Sequence, residues 1–403
     1  MDHHRYQHRN RQFVTGIVLS IAGFAVSVNA LPPLVTGLAE TYGVAPALFG
    51  IVFFCQLASF AVFSSVSGFI LGKGRGDPEI ILICALLFAG LSVGFIGVIP
   101  SFFALVVFMV VIGGCGGIVE STGTMMLTQC GPDTNGRYVH ISQMFYCLGA
   151  LFAPMVIGIL LAASISIPLI GGAVGLLTVV IAVIVMLCVV RSRQSGYDCS
   201  PVSVDGQTGS EKHNLLERPT WGAFVWFLLV MILYVMLEIS VASWLPTYLV
   251  KTFRTTAATA SFHLMLFWTG LAAARFIYIF LDSGAIRKQL GVHIFSISVC
   301  TAFLFLGPSS VTARGLIIFL LGVSCGPVWP LIVNLYSQLY ASRHHVMYIV
   351  SAGSVGGVTG IVVTSWAVKV YGAHSMMTVL ILYAVVLLLA YLAMMRVSRR
   401  RRI

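Results

Sequence analysis

The sequence predicts an all-α membrane protein of twelve transmembrane helices, arranged as two six-helix pseudo-repeats. Three observations predict it. First, 59% of the 403 residues are hydrophobic and only 9% are charged, against roughly 25% charged in soluble domains. A soluble fold of this length could not cover its surface with so few charges, so lipid is the solvent for most of the chain. Second, apolar runs long enough to cross about 30 Å of hydrocarbon recur from end to end. Third, the basic residues are sorted. Of 23 Lys and Arg, only Lys251, Arg254, Arg314 and Lys369 fall on one side and Arg275 falls inside a span, leaving 18 on the other side. That bias puts both termini in the cytoplasm and requires an even number of spans. The net charge of +11 is thus a topology signal, and nucleic acid is not an expected partner.

The segment MDHHRYQHRNRQ is polar and basic. It precedes an apolar run of about 25 residues without a small-residue cleavage site, which reads as a retained first helix over 12–36. Further spans follow at 45–71, 79–99, 102–128, 138–162 and 168–190. A stretch containing QSGYDCSPVSVDGQTGSEKHN then lacks any periodicity and reads as a flexible cytoplasmic connector. Six more spans lie at 221–250, 257–281, 290–307, 312–340, 344–369 and 373–396. The expected organisation is a six-helix bundle over 1–190, a linker over 191–220 and a second bundle over 221–403.

The halves echo each other at an offset of about 210 residues. Leu31-Pro32 and Leu245-Pro246 both close a first helix, and IGGCGGIV (112–119) matches LGVSCGPV (321–328). Gly113 stands against Gly322 and Gly117 against Gly326; glycines spaced by four allow close helix contact. The nine cysteines form no CxxC pair, so neither a disulfide framework nor a metal site is expected.

Only two of twelve acidic residues lie deep within spans: Glu120 in span four and Glu238 in span seven. A carboxylate at bilayer depth costs several kcal/mol unless paired, hydrated or protonated. Such a group can take up and release a proton during a transport cycle; the structural alternative is an anchor to a neighbouring helix. Tyr234 lies one turn before Glu238 and can bond it or line the same cavity. Arg275 in span eight is seven residues before Asp282 on one helix face, which suggests a gating or structural pair; an anionic solute is the other partner open to Arg275. Asn29, Gln143, Trp329 and Asn334 interrupt apolar runs. Amides that give and accept hydrogen bonds, with aromatic faces that stack on CH groups, suit a neutral sugar; interhelical bonding is the plainer reading of each. His263 reads as a packing histidine. No nucleotide-binding loop, zinc motif or Ser/His/Asp arrangement is present, which disfavours an ATP-driven pump and an enzyme, and no cofactor is expected.

Several stretches resemble a known family. GGCGGIVESTGTMM (113–126) resembles the G-x-G-x-x-x-E-x-x-x-N stretch of fucose/glucose-type sugar:proton symporters of the major facilitator superfamily. LYVMLEISVASWLPTYL (233–249) resembles their Y-x-G-x-E-x-x-x-x-x-W-L-x-x-Y-L stretch; Phe145, Gly149 and Pro154 match an F-x-x-G-x-x-x-x-P pattern. GVSCGPVWPLIVNL (322–335) resembles the family's span-ten pattern, and LDSGAIRKQL, with Asp282, Arg287 and Lys288, resembles its D-R-x-G-R-K loop. The first-half copy of that loop keeps Gly68, Lys73 and Arg75 but has Gly72 where the family has Asp. The resemblance implies two parallel six-helix halves that rock around a central site. It also implies a helix-four Glu that handles proton and sugar, matched by Glu120; the partner acid of helix one is replaced by Asn29, and Gly123 or Thr124 stands where the family has Asn.

The expected activity is secondary transport of a small hydroxylated solute such as a monosaccharide by proton symport, with sodium as the alternative coupling ion. The rivals are a proton-coupled exporter of drugs or organic anions and a ligand sensor that moves nothing. A monomer in the plasma membrane, or the bacterial inner membrane, with lipid as its surroundings completes the expectation.

Overall fold

The computed structural model describes residues 3–44, 48–99, 101–128, 137–194, 221–255, 257–281, 285–307, 310–340 and 345–399. All the regular structure in these residues is helical. In the first half stand α1 (His3–Val28), α2 (Val35–Tyr42), α3 (Phe49–Gly72), α4 (Pro78–Gly94), α5 (Phe102–Leu127), α6 (Arg137–Ala162) and α7 (Ile167–Gln194). In the second stand α8 (Trp221–Phe253), α9 (Ala257–Tyr278), α10 (Ile286–Phe305), α11 (Val311–Cys325), α12 (Val328–Leu339), α13 (His345–Tyr371) and α14 (Ser375–Arg399).

Among the described residues, ten helical runs are long and apolar enough to cross a membrane, and two shorter apolar helices, Pro78–Gly94 and Phe262–Tyr278, bring the spans to twelve. The helix ends follow local chemistry. Pro32 and Pro33 stop α1 and open a single 3-10 turn. Asp77 caps α4 by accepting from the Glu79 and Ile80 amides at 3.0 and 3.4 Å, with Pro78 in the first turn. Ser101 and Ser310 cap α5 and α11 in the same way.

The burial pattern is that of a protein solvated by lipid. Large apolar side chains such as Phe103, Leu169 and Phe280 face outward, whereas Gln56, Glu120, His140, Gln143 and Arg275 are buried. The chain divides into two compact units. Unit 1 holds α1 to α5, α6 from Ile141, α7, and α13 as far as Ser351. Unit 2 holds α6 as far as His140, α8 to α12, α13 from Ala352, and α14. Relative to a division at 1–190 and 221–403, the ends of α6 and α13 are exchanged. Most of the expected linker, 195–220, lies outside the described residues.

The glycine rows carry the tightest packing. A Cβ on Gly113 or Gly117 of α5 would run into the carbonyl oxygens of Gln56 and Phe60 on α3. On α11, a Cβ on Gly322 would strike the Phe267 carbonyl of α9, and one on Gly326, which directly follows α11, would strike that of Leu271. Both donors and receivers repeat at nearly the same offset, so each unit contains the same backbone-on-backbone contact. The face of α5 that carries Gly113 and Gly117 is therefore pressed on a neighbouring helix and lines no open space.

Candidate functional site

In unit 1 the polar centre is Glu120. Glu120 is 9% exposed, and the Gln143 amide of α6 donates to its Oε1 at 3.3 Å. Glu120 stands on an unbroken helix, because α5 has no proline and runs to Leu127. One turn before Glu120, Gly116 leaves room for the Phe24 ring of α1. Phe24 in turn meets Phe60 and Tyr146 with ring centroids 5.8 and 6.0 Å apart. An acid, an amide and an aromatic group thus converge from α1, α3, α5 and α6. Asn29 does not join them by any observed bond. Its amide donates to the Ala25 carbonyl of its own helix at 2.8 Å, the ordinary habit of a short polar side chain at a helix end.

In unit 2 the centre is the break between α11 and α12. In a continuous helix the Gly326 carbonyl would accept from the N–H of residue 330. Residue 330 is proline and has none. A buried carbonyl without a donor is costly, so another group must serve it. Arg275 of α9 does so, with Nε 3.0 Å from the Gly326 oxygen. The adjoining Cys325 carbonyl accepts from the Tyr234 hydroxyl of α8 at 2.9 Å. Glu238, one turn on from Tyr234, faces both the Tyr234 hydroxyl and Arg275. Tyr234, Glu238 and Arg275 are 0%, 8% and 4% exposed. The acid and the cation therefore compensate each other inside the bundle while their neighbours hold a broken helix in place.

The expected Arg275–Asp282 pair falls partly beyond view, because Asp282 lies outside the described residues; Arg275 donates to the Gly326 carbonyl. Trp329 sits in the first turn of α12 with its indole nitrogen turned towards Gly353 of α13. Asn334 is buried one further turn along α12. His263 bridges helices: its ring nitrogens meet the Thr259 and Val311 carbonyls at 2.7 and 3.3 Å. It also lines a groove of about 610 Å3 with Phe262, Leu266, Leu316 and Phe319, to which none of the other candidates contributes.

Sequence reasoning passed over two features. Arg193 at the end of α7 pairs with both Asp77 and Glu79 at the start of α4. Tyr278 of α9 meets His293 of α10, and the ring of His140 packs beside it. The available signal was two histidines inside spans five and nine and a tyrosine one turn from Arg275.

A family model described as Major Facilitator Superfamily matches residues 14–357. Protein TsgA homolog of Serratia proteamaculans is 24% identical over 275 residues, covering 67% of this chain and 66% of that protein. Bypass of stop codon protein 6 of Saccharomyces cerevisiae is 25% identical over 378 residues, 86% of this chain and 74% of that one. Among solved structures, the human organic anion transporter MFSD10 (TETRAN) superposes with a TM-score of 0.75 at 14% identity, covering 95% of this chain and 99% of that chain. FucP, the E. coli fucose:proton symporter, superposes in its outward conformation with a TM-score of 0.70 at 15% identity, covering 94% and 98%. At these identities the structural likeness speaks for the fold. The family match, which spans most of the chain, settles membership: this chain belongs to the Major Facilitator Superfamily, as a multi-pass membrane protein that is a secondary transporter and not an enzyme.

Proposed function

We propose that this transporter carries a small hydroxylated solute, of the monosaccharide kind, in symport with protons. The observation that carries the reading is the buried Glu120–Gln143 contact. An ionised Glu120 accepts from the Gln143 amide and holds it. A protonated Glu120 is a weaker acceptor and itself becomes a donor, which releases the Gln143 amide to give and accept bonds with a solute hydroxyl. Proton and solute then bind best together, which is the condition for symport. Phe24 packs against Gly116, one turn before Glu120, and Tyr146 stands one turn after Gln143. The half spanning 1–190 and the half spanning 221–403 alternate access to this site, with both termini in the cytoplasm and the chain acting as a monomer in the plasma membrane or the bacterial inner membrane.

The test is uptake in proteoliposomes. Glu120→Gln should abolish accumulation driven by a pH gradient while preserving solute exchange. Unchanged pH-driven accumulation in that variant would refute the role of Glu120.

A second reading, proton-coupled export of organic anions, is favoured by one observation: Arg275 is a buried cation matched by Glu238. Protonation of Glu238 would remove a negative charge that faces Arg275 and raise the local positive potential felt by an anionic solute. Thermal stabilisation by a panel of sugars, organic anions and lipophilic cations separates the two readings, because ligands of the folded state raise its melting temperature by mass action. Stabilisation without any flux in liposomes would instead identify a sensor.

A further inference from the structure

At the membrane face where α14 ends, unit 2 carries a block of positive charge that the proposed transport cycle does not use. Arg396, Arg399, Arg400, Arg401 and Arg402 fall within seven positions of the sequence, and no Asp or Glu occurs anywhere from 283 to 403. α10 brings two more cations to the same level. The Tyr391 hydroxyl of α14 donates to the Arg287 carbonyl of α10 at 2.7 Å, and the Ser298 hydroxyl of α10 donates to the Ala384 carbonyl of α14 at 3.4 Å. Later residues of α14 thus meet earlier residues of α10, so the two helices run antiparallel. Arg396 is five residues beyond Tyr391, which sets it level with the start of α10, where Arg287 and Lys288 stand. Arg396 and Lys288 are exposed, and among the described residues neither joins an ion pair; Asp282, the acid nearest to Lys288 in sequence, lies outside those residues.

Beside this charge the helix offers a place for an acyl chain. Leu389, Leu392, Ala393, Arg396 and Val397 line a groove of about 330 Å3. Their spacing by three and four makes one face of α14, opposite the face through which Tyr391 and Met394 are buried. Leu389 and Leu392 are exposed. The stripe is therefore apolar along the span and cationic at its end.

We propose that this face of α14 binds one anionic phospholipid, with its phosphate on Arg396 and an acyl chain along Leu389, Leu392 and Ala393. The apolar stripe alone would accept the chain of any lipid. The headgroup is selected by the cations, which have no acid of their own segment to answer them. Basic clusters directly beyond a membrane helix attract anionic headgroups, each Lys or Arg strengthening the attraction about fivefold. A zwitterionic lipid brings an ammonium that opposes the cluster, and a free phosphate leaves the stripe unfilled. The proposal involves neither Glu120 nor Glu238 and is independent of which solute is carried.

The test uses the full-length protein in detergent. Its thermal midpoint, at one fixed scan rate, is followed against dioleoyl phosphatidylglycerol, dioleoyl phosphatidylcholine and glycerol phosphate, because a ligand of the folded state raises the midpoint by mass action. Phosphatidylglycerol should raise it to saturation and the other two should not. Arg396→Gln should raise the half-saturating concentration of phosphatidylglycerol about fivefold, the share of one basic residue. Ala393→Phe, which fills the groove without changing charge, should raise it as well. Lys369→Gln removes an exposed cation near the start of α14, at the other end of that helix, and should leave it unchanged. Without lipid, all three variants should melt with the wild type, which reports an intact fold. Equal stabilisation by phosphatidylcholine or by glycerol phosphate, or an equal effect of Lys369→Gln and Arg396→Gln, would overturn the proposal.

Discussion

Gly117→Ala is the sharpest structural test, because its sign is fixed by what stands opposite. A Cβ at Gly117 would penetrate the Phe60 carbonyl oxygen, with the Phe60 C and Cα atoms 3.0 and 3.1 Å away, where ordinary contact begins near 3.4 Å. The obstacle is backbone, so no side-chain rotation relieves it and α5 must move away from α3. Overpacking of this kind costs about 1–3 kcal/mol. Gly113→Ala meets the Gln56 backbone and the Ser59 hydroxyl and should cost as much. The double variant should cost less than the two together, because helices parted for one methyl already admit the next. Gly172→Ala on α7 is the control. Nothing lies within 4 Å of its Cβ, so helix propensity alone acts, in favour of alanine by about 0.5–1 kcal/mol. The assay is the thermal midpoint of purified protein in detergent at one fixed scan rate, read as a rank order because unfolding of such proteins is irreversible. A midpoint for Gly117→Ala at or above that of Gly172→Ala would refute the packing argument.

Arg275→Met should destabilise by about 3–5 kcal/mol, since it strands both Glu238 and the Gly326 carbonyl. Adding Glu238→Gln should restore only part of the loss, because the carbonyl is still unserved; thermal midpoints of the two singles and the double check this. Asn29→Ala removes a bond within its own helix and should cost under about 1 kcal/mol. Uptake by that variant should stay within about twofold of wild type, and a larger loss would place Asn29 on the solute. Arg193→Ala should cost about 1 kcal/mol, the Arg193 side chain being 48% exposed. The thermal midpoint of the purified variant checks this.

The helical membrane fold was legible because apolar runs of spanning length recur along the chain. Helix boundaries were less so. Span three was read over 79–99, but α4 ends at Gly94, and Gly97 adopts a left-handed φ of 79° in an apolar turn. Hydropathy does not separate an apolar turn from an apolar helix. Span ten was read as one run, and the structure breaks it after Cys325, where Pro327 and Pro330 remove two helical donors. Among the site residues, Tyr234 and Glu238 face each other, as their spacing of one turn suggested, whereas the contact of Glu120 with Gln143 joins two helices and was not readable from either. The Tyr278–His293 bond and the Arg193 pairs could not be read, because they join residues whose helices are neighbours only in the folded chain.

The repeat also says where function parts from architecture. Up to Gly117 and Gly326 the two halves make the same contact, helix backbone on helix backbone, with receivers Gln56 and Phe60 in one unit and Phe267 and Leu271 in the other. One turn further the equivalence ends. Position 120 carries a carboxylate on an unbroken helix; the matching position 329 carries a tryptophan just past a break. Unit 1 can place its acid on α5 because the α5 backbone satisfies itself. Unit 2 cannot, because its broken helix demands donors, and Tyr234 and Arg275 answer that demand from α8 and α9. An arginine buried for that purpose requires a counter-charge, and Glu238 on α8 supplies it. Pro330, the Gly326 carbonyl, Arg275 and Glu238 thus form one linked set in unit 2 that has no counterpart around Glu120.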